Sequence, residues 1–147
     1  MIHKMKLNDD PFERIKNGTK TIEFRLYDEK RRKVKIGDKI EFSKLPDLQE
    51  KILVDVLDLY TEPSFEELFE KLYEDKELAK QKANAMYEIY SPENEKKYGV
   101  VGIKIKLVDN WFRYTYNKLV RDKIPENIDS ENGRKSKYRI LNDDEYP

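Results

Sequence analysis

The chain has 147 residues, with 30 Lys and Arg balanced by 30 Asp and Glu, so it carries no formal net charge. That length suits one domain with an appendage. Neutrality excludes the simplest nucleic-acid binder, a uniformly basic protein, but leaves room for a basic patch offset by an acidic region elsewhere. There is no cysteine, which excludes disulfides, thiolate metal sites and cysteine nucleophiles, and the single His3 cannot build a multi-histidine centre. Neither a metal nor a cofactor is expected. No apolar run approaches the roughly 18 residues of a membrane span, and the N-terminus "MIHKMKLNDD" has no signal-peptide core. A folded, highly charged cytoplasmic protein with no membrane partner is expected.

In chain order, "IHKMKL" alternates as a strand does. "DDPFERIKNG" reads as a short helix with Asp10 as N-cap, Pro11 in the first helical position and Glu13 closing a capping box; Gly18 is its left-handed stop. "KTIEFRLY" alternates again, with Ile22, Phe24 and Leu26 on one face and Thr21, Glu23 and Arg25 on the other. "DEKRRKVKIGD" is a loop or brief helix ending in a Gly37-Asp38 turn. "KIEF" opens a third strand, and "KILVDVLDLY" is the longest, with an alternation that slips after Val56 in the manner of a bulge.

"PSFEELFEKLYED" is a helix opened by Ser64 and Glu67, with Phe65, Leu68, Phe69 and Leu72 as its stripe. "KELAKQKANAMYEIY" is another, with Ala79, Ala83, Met86, Tyr87 and Tyr90 along one side. Ser91-Pro92 starts a short helix reaching Tyr98-Gly99. "VVGIKIKLV" is a strand with Val101, Ile103, Ile105 and Leu107 inward. Several strands have a single apolar face, which argues for an α+β fold, a small curled mixed β-barrel with flanking helices, rather than a doubly wound parallel sheet.

Three features carry chemistry. In "NGTKTIEFR", Gly18, Lys20, Glu23 and Arg25 are spaced G-x-K-x-x-E-x-R. Glu23 and Arg25 point the same way, ~7 Å apart along a strand, and the turn after Gly18 can bring Lys20 over the same face. Such a set can grip a phosphate or a polar base edge, or perform acid–base work. The plainer reading is a helix cap, a solvated lysine and a surface ion pair worth under about 1 kcal/mol.

The second feature is charge segregation. Residues 20–39 hold eight basic side chains against four acidic, a net of +4, and Arg31, Arg32 and Lys33 fall in their densest run; residues 62–77 hold seven acidic against two basic, a net of −5. A basic patch beside a cleft would draw phosphate, more weakly as salt rises. The third feature is Tyr27, Tyr60, Tyr87, Tyr90 and Tyr98, all near element ends. They read first as core residues with a hydroxyl at the rim, and second as stacking platforms for bases. No Walker loop and no Gly-rich dinucleotide fingerprint occurs.

These residues carry a resemblance. "GTKTIEFR" matches the signature of ASCH domains, relatives of the PUA RNA-binding fold, and the order and spacing of residues 1–108 resemble a bacterial ASCH branch. The resemblance implies a curled barrel of five or six strands and a cleft beside the signature strand, with RNA or a nucleoside-like ligand as partner. Gly18, Lys20, Glu23 and Arg25 are its cleft residues, with Arg31, Arg32 and Lys33 adjoining. Some members of the family are amidohydrolases acting on N4-acetylated cytidine, and others are ribonucleases. If this chain is an enzyme, the resemblance makes Lys20 and Glu23 catalytic. The amidohydrolase branch has Thr where Glu23 stands, and its assisting Glu corresponds to the region of Glu74 or Glu77. Residues 111–147 resemble the opening of MazG-like nucleotide pyrophosphohydrolases, without the helices that bind magnesium. The expected division is therefore an ASCH domain over 1–110 and an incomplete MazG-like segment over 111–147. The segment would pack through Trp111 and Phe112, or pair chains into a homo-oligomer.

Overall fold

The computed structural model describes residues 1–108; the segment 111–147 and its MazG-like resemblance lie outside them. The described elements run β1 (Ile2–Leu7), α1 (Asp9–Lys16), β2 (Ile22–Leu26), α2 (Glu29–Arg32), β3 (Lys39–Lys44), β4 (Lys51–Glu62), α3 (Phe65–Leu72), α4 (Lys76–Met86), α5 (Pro92–Tyr98) and β5 (Val100–Leu107). This is the α+β class that the alternation and caps imply. The strands form a five-stranded sheet in the order β1-β3-β4-β5-β2. The sheet is mixed: β1 runs parallel to β3, with His3 opposite Ile40, and β3 runs antiparallel to β4, with Ile40 opposite Val54. The parallel pair needs a crossover, which the segment from α1 to α2 supplies.

The described residues divide into two compact units. The first comprises Met1–Ile22, Gly37–Leu57 and the described chain from Ile105. Phe12, Ile15, Ile40, Phe42, Ile52 and Val54 are fully buried in it. Around that core, Lys44 Nζ sits 2.9 Å from both Asp9 and Glu13, whose hydrogen bonds hold its ammonium well above the ordinary lysine value. Lys16 pairs with Glu50, and the His3 ring lies 2.8 Å from Asp38.

The second unit comprises Glu23–Ile36 and Asp58–Lys104. Its centre is aromatic. Phe24 meets Phe69 edge-on with ring centres 4.7 Å apart, and Phe65 stacks on Phe69 at 6.1 Å. Gly99, with φ of 73°, joins α5 to β5; a Cβ there would lie 3.2 Å from the Glu62 carbonyl oxygen. Its own carbonyl accepts the Tyr27 N–H at 3.0 Å.

Two helix ends differ from the sequence reading. Helix α1 starts at Asp9, not after Asp10. Asn8 is the N-cap and makes no side-chain cap bond. Pro11 is then the third helical residue, still within the first turn, where an N–H has no helical acceptor to lose. Glu13 is drawn away to Lys44 at 2.9 Å, so the capping box does not form. Helix α4 stops at Met86, before the tyrosines. The N–H groups of Tyr87, Glu88 and Ile89 bond three residues back, tightening the chain into turns, so that Tyr87 and Tyr90 lie beyond the helix. The Ser64 cap does form: its hydroxyl accepts the Glu67 N–H at 3.1 Å.

Candidate functional site

The signature residues fall in both units, so each is described where it lies. In the first unit, Gly18 takes φ of 87° and ends α1 as its spacing implies. The N–H groups of Thr19 and Lys20 both reach the Arg14 carbonyl, at 2.9 and 3.0 Å, and Asn17 Oδ1 takes both polar groups of Thr19. That turn delivers Lys20 to a position only 6% exposed. The solvated lysine of the plainer reading is therefore not what the fold makes.

In the second unit, Glu23 and Arg25 form the ion pair that their spacing allows. Arg25 Nε donates to Glu23 Oε2 at 2.7 Å, with the side chains 12% and 6% exposed respectively. This is a buried pair, not a surface one. The alternating pattern leaves one face of β2 for solvent, yet both faces are covered: Ile22, Glu23, Phe24 and Leu26 are all buried.

The run "KRRK" separates. Asp28 caps α2 by accepting the Arg31 N–H at 3.0 Å, and its other oxygen accepts from Arg31 Nη1 at 3.1 Å. Arg31 is thereby turned inward, and its Nε is buried with no hydrogen-bond partner among the described residues. Arg32, ~100° around the helix, is exposed and lies over Tyr27. Lys33 is the exposed C-cap residue of α2 and joins neither set.

Glu23, Arg25, Asp28 and Arg31 all act electrostatically on Tyr90. Its ring stacks on Phe65 with centres 5.7 Å apart. Burial raises its phenol above the ordinary value; Arg25 and Arg31 pull it down, while Glu23 and Asp28 push it up. Four charges of alternating sign thus act on one half-buried hydroxyl, and their formal sum is zero. None of the five tyrosines singled out in the sequence is fully buried: Tyr27, Tyr60, Tyr90 and Tyr98 are half-buried and Tyr87 is exposed.

An acid that sequence spacing did not mark supports this arrangement. Glu74 and Glu77, the candidates for an assisting carboxylate, are exposed. The buried acid of the region is Glu95 on α5. One of its oxygens accepts the N–H of Phe65, the first residue of α3, at 2.8 Å, and the other accepts the Tyr87 hydroxyl at 2.7 Å. Glu95 thereby holds in place the ring that backs Tyr90. Of the residues missed, Asp28 had a local signal, its place as cap three residues before Arg31. Glu95 had none, because its partner at Phe65 is 30 residues away.

The Tyr87 bond has a pH consequence. Hydrogen bonding to Glu95, then burial and the charges of Glu95 and Glu66, push its phenol from 10.0 up to about 12. The folded state holds this proton more tightly than the unfolded chain. The contribution of the bond is therefore complete below the unfolded value and is lost as pH rises through the folded one. Tyr87→Phe is expected to flatten the fall in denaturation midpoint between those two values. A fall as steep as that of the wild type would show that the bond does not form in solution.

Among the described residues, no group of three His, Cys, Asp or Glu side chains could hold a metal ion, and no helix is long and apolar enough to cross a membrane.

Comparison with known proteins defines the class. The family profile described as ASCH domain matches residues 5–109, and the chain belongs to that family. Solved structures similar to it include the following two. The hypothetical protein PH0355 is 38% identical, with 74% of this chain and 100% of that one covered and a TM-score of 0.62. Protein PF0455 from Pyrococcus furiosus, solved by solution NMR, is also 38% identical, covering 74% and 99% with a TM-score of 0.53. A search of curated proteins gave no match.

Proposed function

We propose that the chain binds single-stranded RNA, or a nucleoside-like unit of it, at the cluster formed by Glu23, Arg25, Asp28, Arg31 and Tyr90. The observation that carries this reading is the pair of arginine–carboxylate couples acting on one half-buried tyrosine. Because each arginine is already matched by a carboxylate, the cluster is a poor trap for a bare phosphate. It is well suited to a neutral polar edge with both donors and acceptors, which is what a nucleobase offers. Arg31 Nε is a buried donor that a ligand carbonyl or phosphate oxygen would satisfy. The phenol ring supplies a face for stacking.

Fluorescence anisotropy of short labelled RNAs at low salt tests the reading. Wild-type protein is expected to bind, with affinity falling as salt rises. Tyr90→Ala is expected to weaken binding by about tenfold, within the range of one lost base stack. Equal affinity for the wild type and a Tyr90→Ala/Arg31→Ala variant would overturn the assignment.

The burial of Lys20 favours a second reading, amide hydrolysis of an N4-acylated cytidine with Lys20 as base. Acetate release from N4-acetylcytidine, abolished by Lys20→Ala, would support it, and no turnover above the blank would remove it.

A further inference from the structure

A second cation–aromatic layer lies in the same unit and takes no part in the Tyr90 cluster. Arg32 Cζ sits 4.3 Å above the centre of the Tyr27 ring, and its Nη2 donates to the Tyr98 carbonyl at 3.0 Å. Lys97 Nζ lies 5.1 Å from the centre of the Tyr98 ring. In the same unit Lys71 is held by a carboxylate, whereas Arg32 and Lys97, like Lys82 over Tyr73, face aromatic rings. Among the described residues their partners are aromatic rings and a backbone carbonyl. Both are exposed, while the two tyrosines are half-buried.

This arrangement has the chemistry of a nucleotide subsite. A guanidinium with one face on a tyrosine ring offers its other face to a base, and nucleobases stack on Arg planes as they do on aromatic rings. The guanidinium edge retains N–H donors beyond the one used on Tyr98, in the fork that matches a phosphate. Lys97 adds a mobile point charge. The Tyr90 cluster has the opposite character: its charges cancel and its groups are directional.

The two sites are also set a short stride apart. Tyr27 lies two residues beyond Arg25, ~7 Å along an extended backbone, and its N–H remains tied to the Gly99 carbonyl. Arg31 and Arg32 are neighbours on α2, one serving each site.

We propose that Tyr27, Arg32, Lys97 and Tyr98 form a second subsite, for the nucleotide adjoining the one held at Tyr90. The ligand is then a single-stranded segment rather than a free nucleoside. This rests on the Tyr90 cluster being a nucleoside site, and the experiment separates the two claims.

The test is isothermal titration at low salt with each of the four 5′-mononucleotides and with the matching RNA pentanucleotides. Wild-type protein is expected to prefer a pentanucleotide over its mononucleotide by about tenfold or more, the worth of one further stack with its phosphate contact. Arg32→Ala/Lys97→Ala is expected to reduce that ratio to about twofold or less. Because both residues are exposed, the variant's denaturation midpoint should match the wild type and serves as the folding control. A ratio preserved in the variant overturns the second subsite and leaves the Tyr90 reading standing. Mononucleotide binding with no pentanucleotide preference in the wild type does the same. No binding of either ligand by the wild type overturns both.

Discussion

Arg25→Ala is expected to lower the stability of the protein by about 3 kcal/mol, because it removes the guanidinium that faces the carboxylate of Glu23 inside the fold. The pair is short, at 2.7 Å, and neither side chain is more than 12% exposed. Keeping one charge of a buried pair while deleting its partner is far more costly than losing an exposed pair, whose worth has a median of about 0–1 kcal/mol. The same molecule supplies the control. Lys71 pairs with Glu62 at 2.6 Å, but Lys71 is 67% exposed, and Lys71→Ala is expected to cost about 0.5 kcal/mol or less. Urea denaturation of the two variants measures the contrast. Adding Glu23→Ala to Arg25→Ala should recover part of the loss, since the stranded carboxylate is then removed too. If Arg25→Ala proved as mild as Lys71→Ala, the Glu23–Arg25 pair would not be a buried element of the site.

Phe65→Ala is expected to cost about 4 kcal/mol, the range for emptying a fully buried aromatic position. Phe65 is 0% exposed, and its ring lies between Phe69 and Tyr90. Its N–H is the helix-terminal donor that Glu95 accepts, so the side chain deleted is the one placed by that anchor. The more telling variant is Phe65→Leu. It keeps an apolar filling and should cost about 1.5 kcal/mol, leaving the protein folded while removing the planar backing of Tyr90. RNA affinity of Phe65→Leu is expected to fall under conditions where the variant is still fully folded, its denaturation midpoint lowered only as far as that cost implies. Affinity equal to the wild type would show that the Phe65–Tyr90 stack does not position the ligand.

Much of the fold was legible because the signals are local. Period-two alternation located β1, β2, β3 and β5. Ser64 and Ser91 marked helix starts whose caps form, and Gly18, Gly37 and Gly99 marked turns where φ is positive. The pairing of Glu23 with Arg25 followed from their sharing one side of a strand. Where the reading missed, a distant group competed with the local signal. The capping box at Glu13 lost to Lys44, 31 residues away. The helical stripe through Tyr90 lost to turns after Met86, beyond which Tyr90 stacks on Phe65.

By itself, the sequence determined the element order, the caps at Ser64 and Ser91, and the spacing that lets Glu23 pair with Arg25. These depend on contacts within a few residues, where backbone geometry leaves few choices. Only the tertiary structure decided that Lys20 and Glu23 are buried and that Arg31 and Arg32 part company. It likewise decided that Glu95 is buried while Glu74 and Glu77 are exposed. Each of those outcomes depends on which distant segment covers the residue. Arg32 meets a carbonyl 66 residues further along the chain, and no periodicity in a local window encodes that meeting.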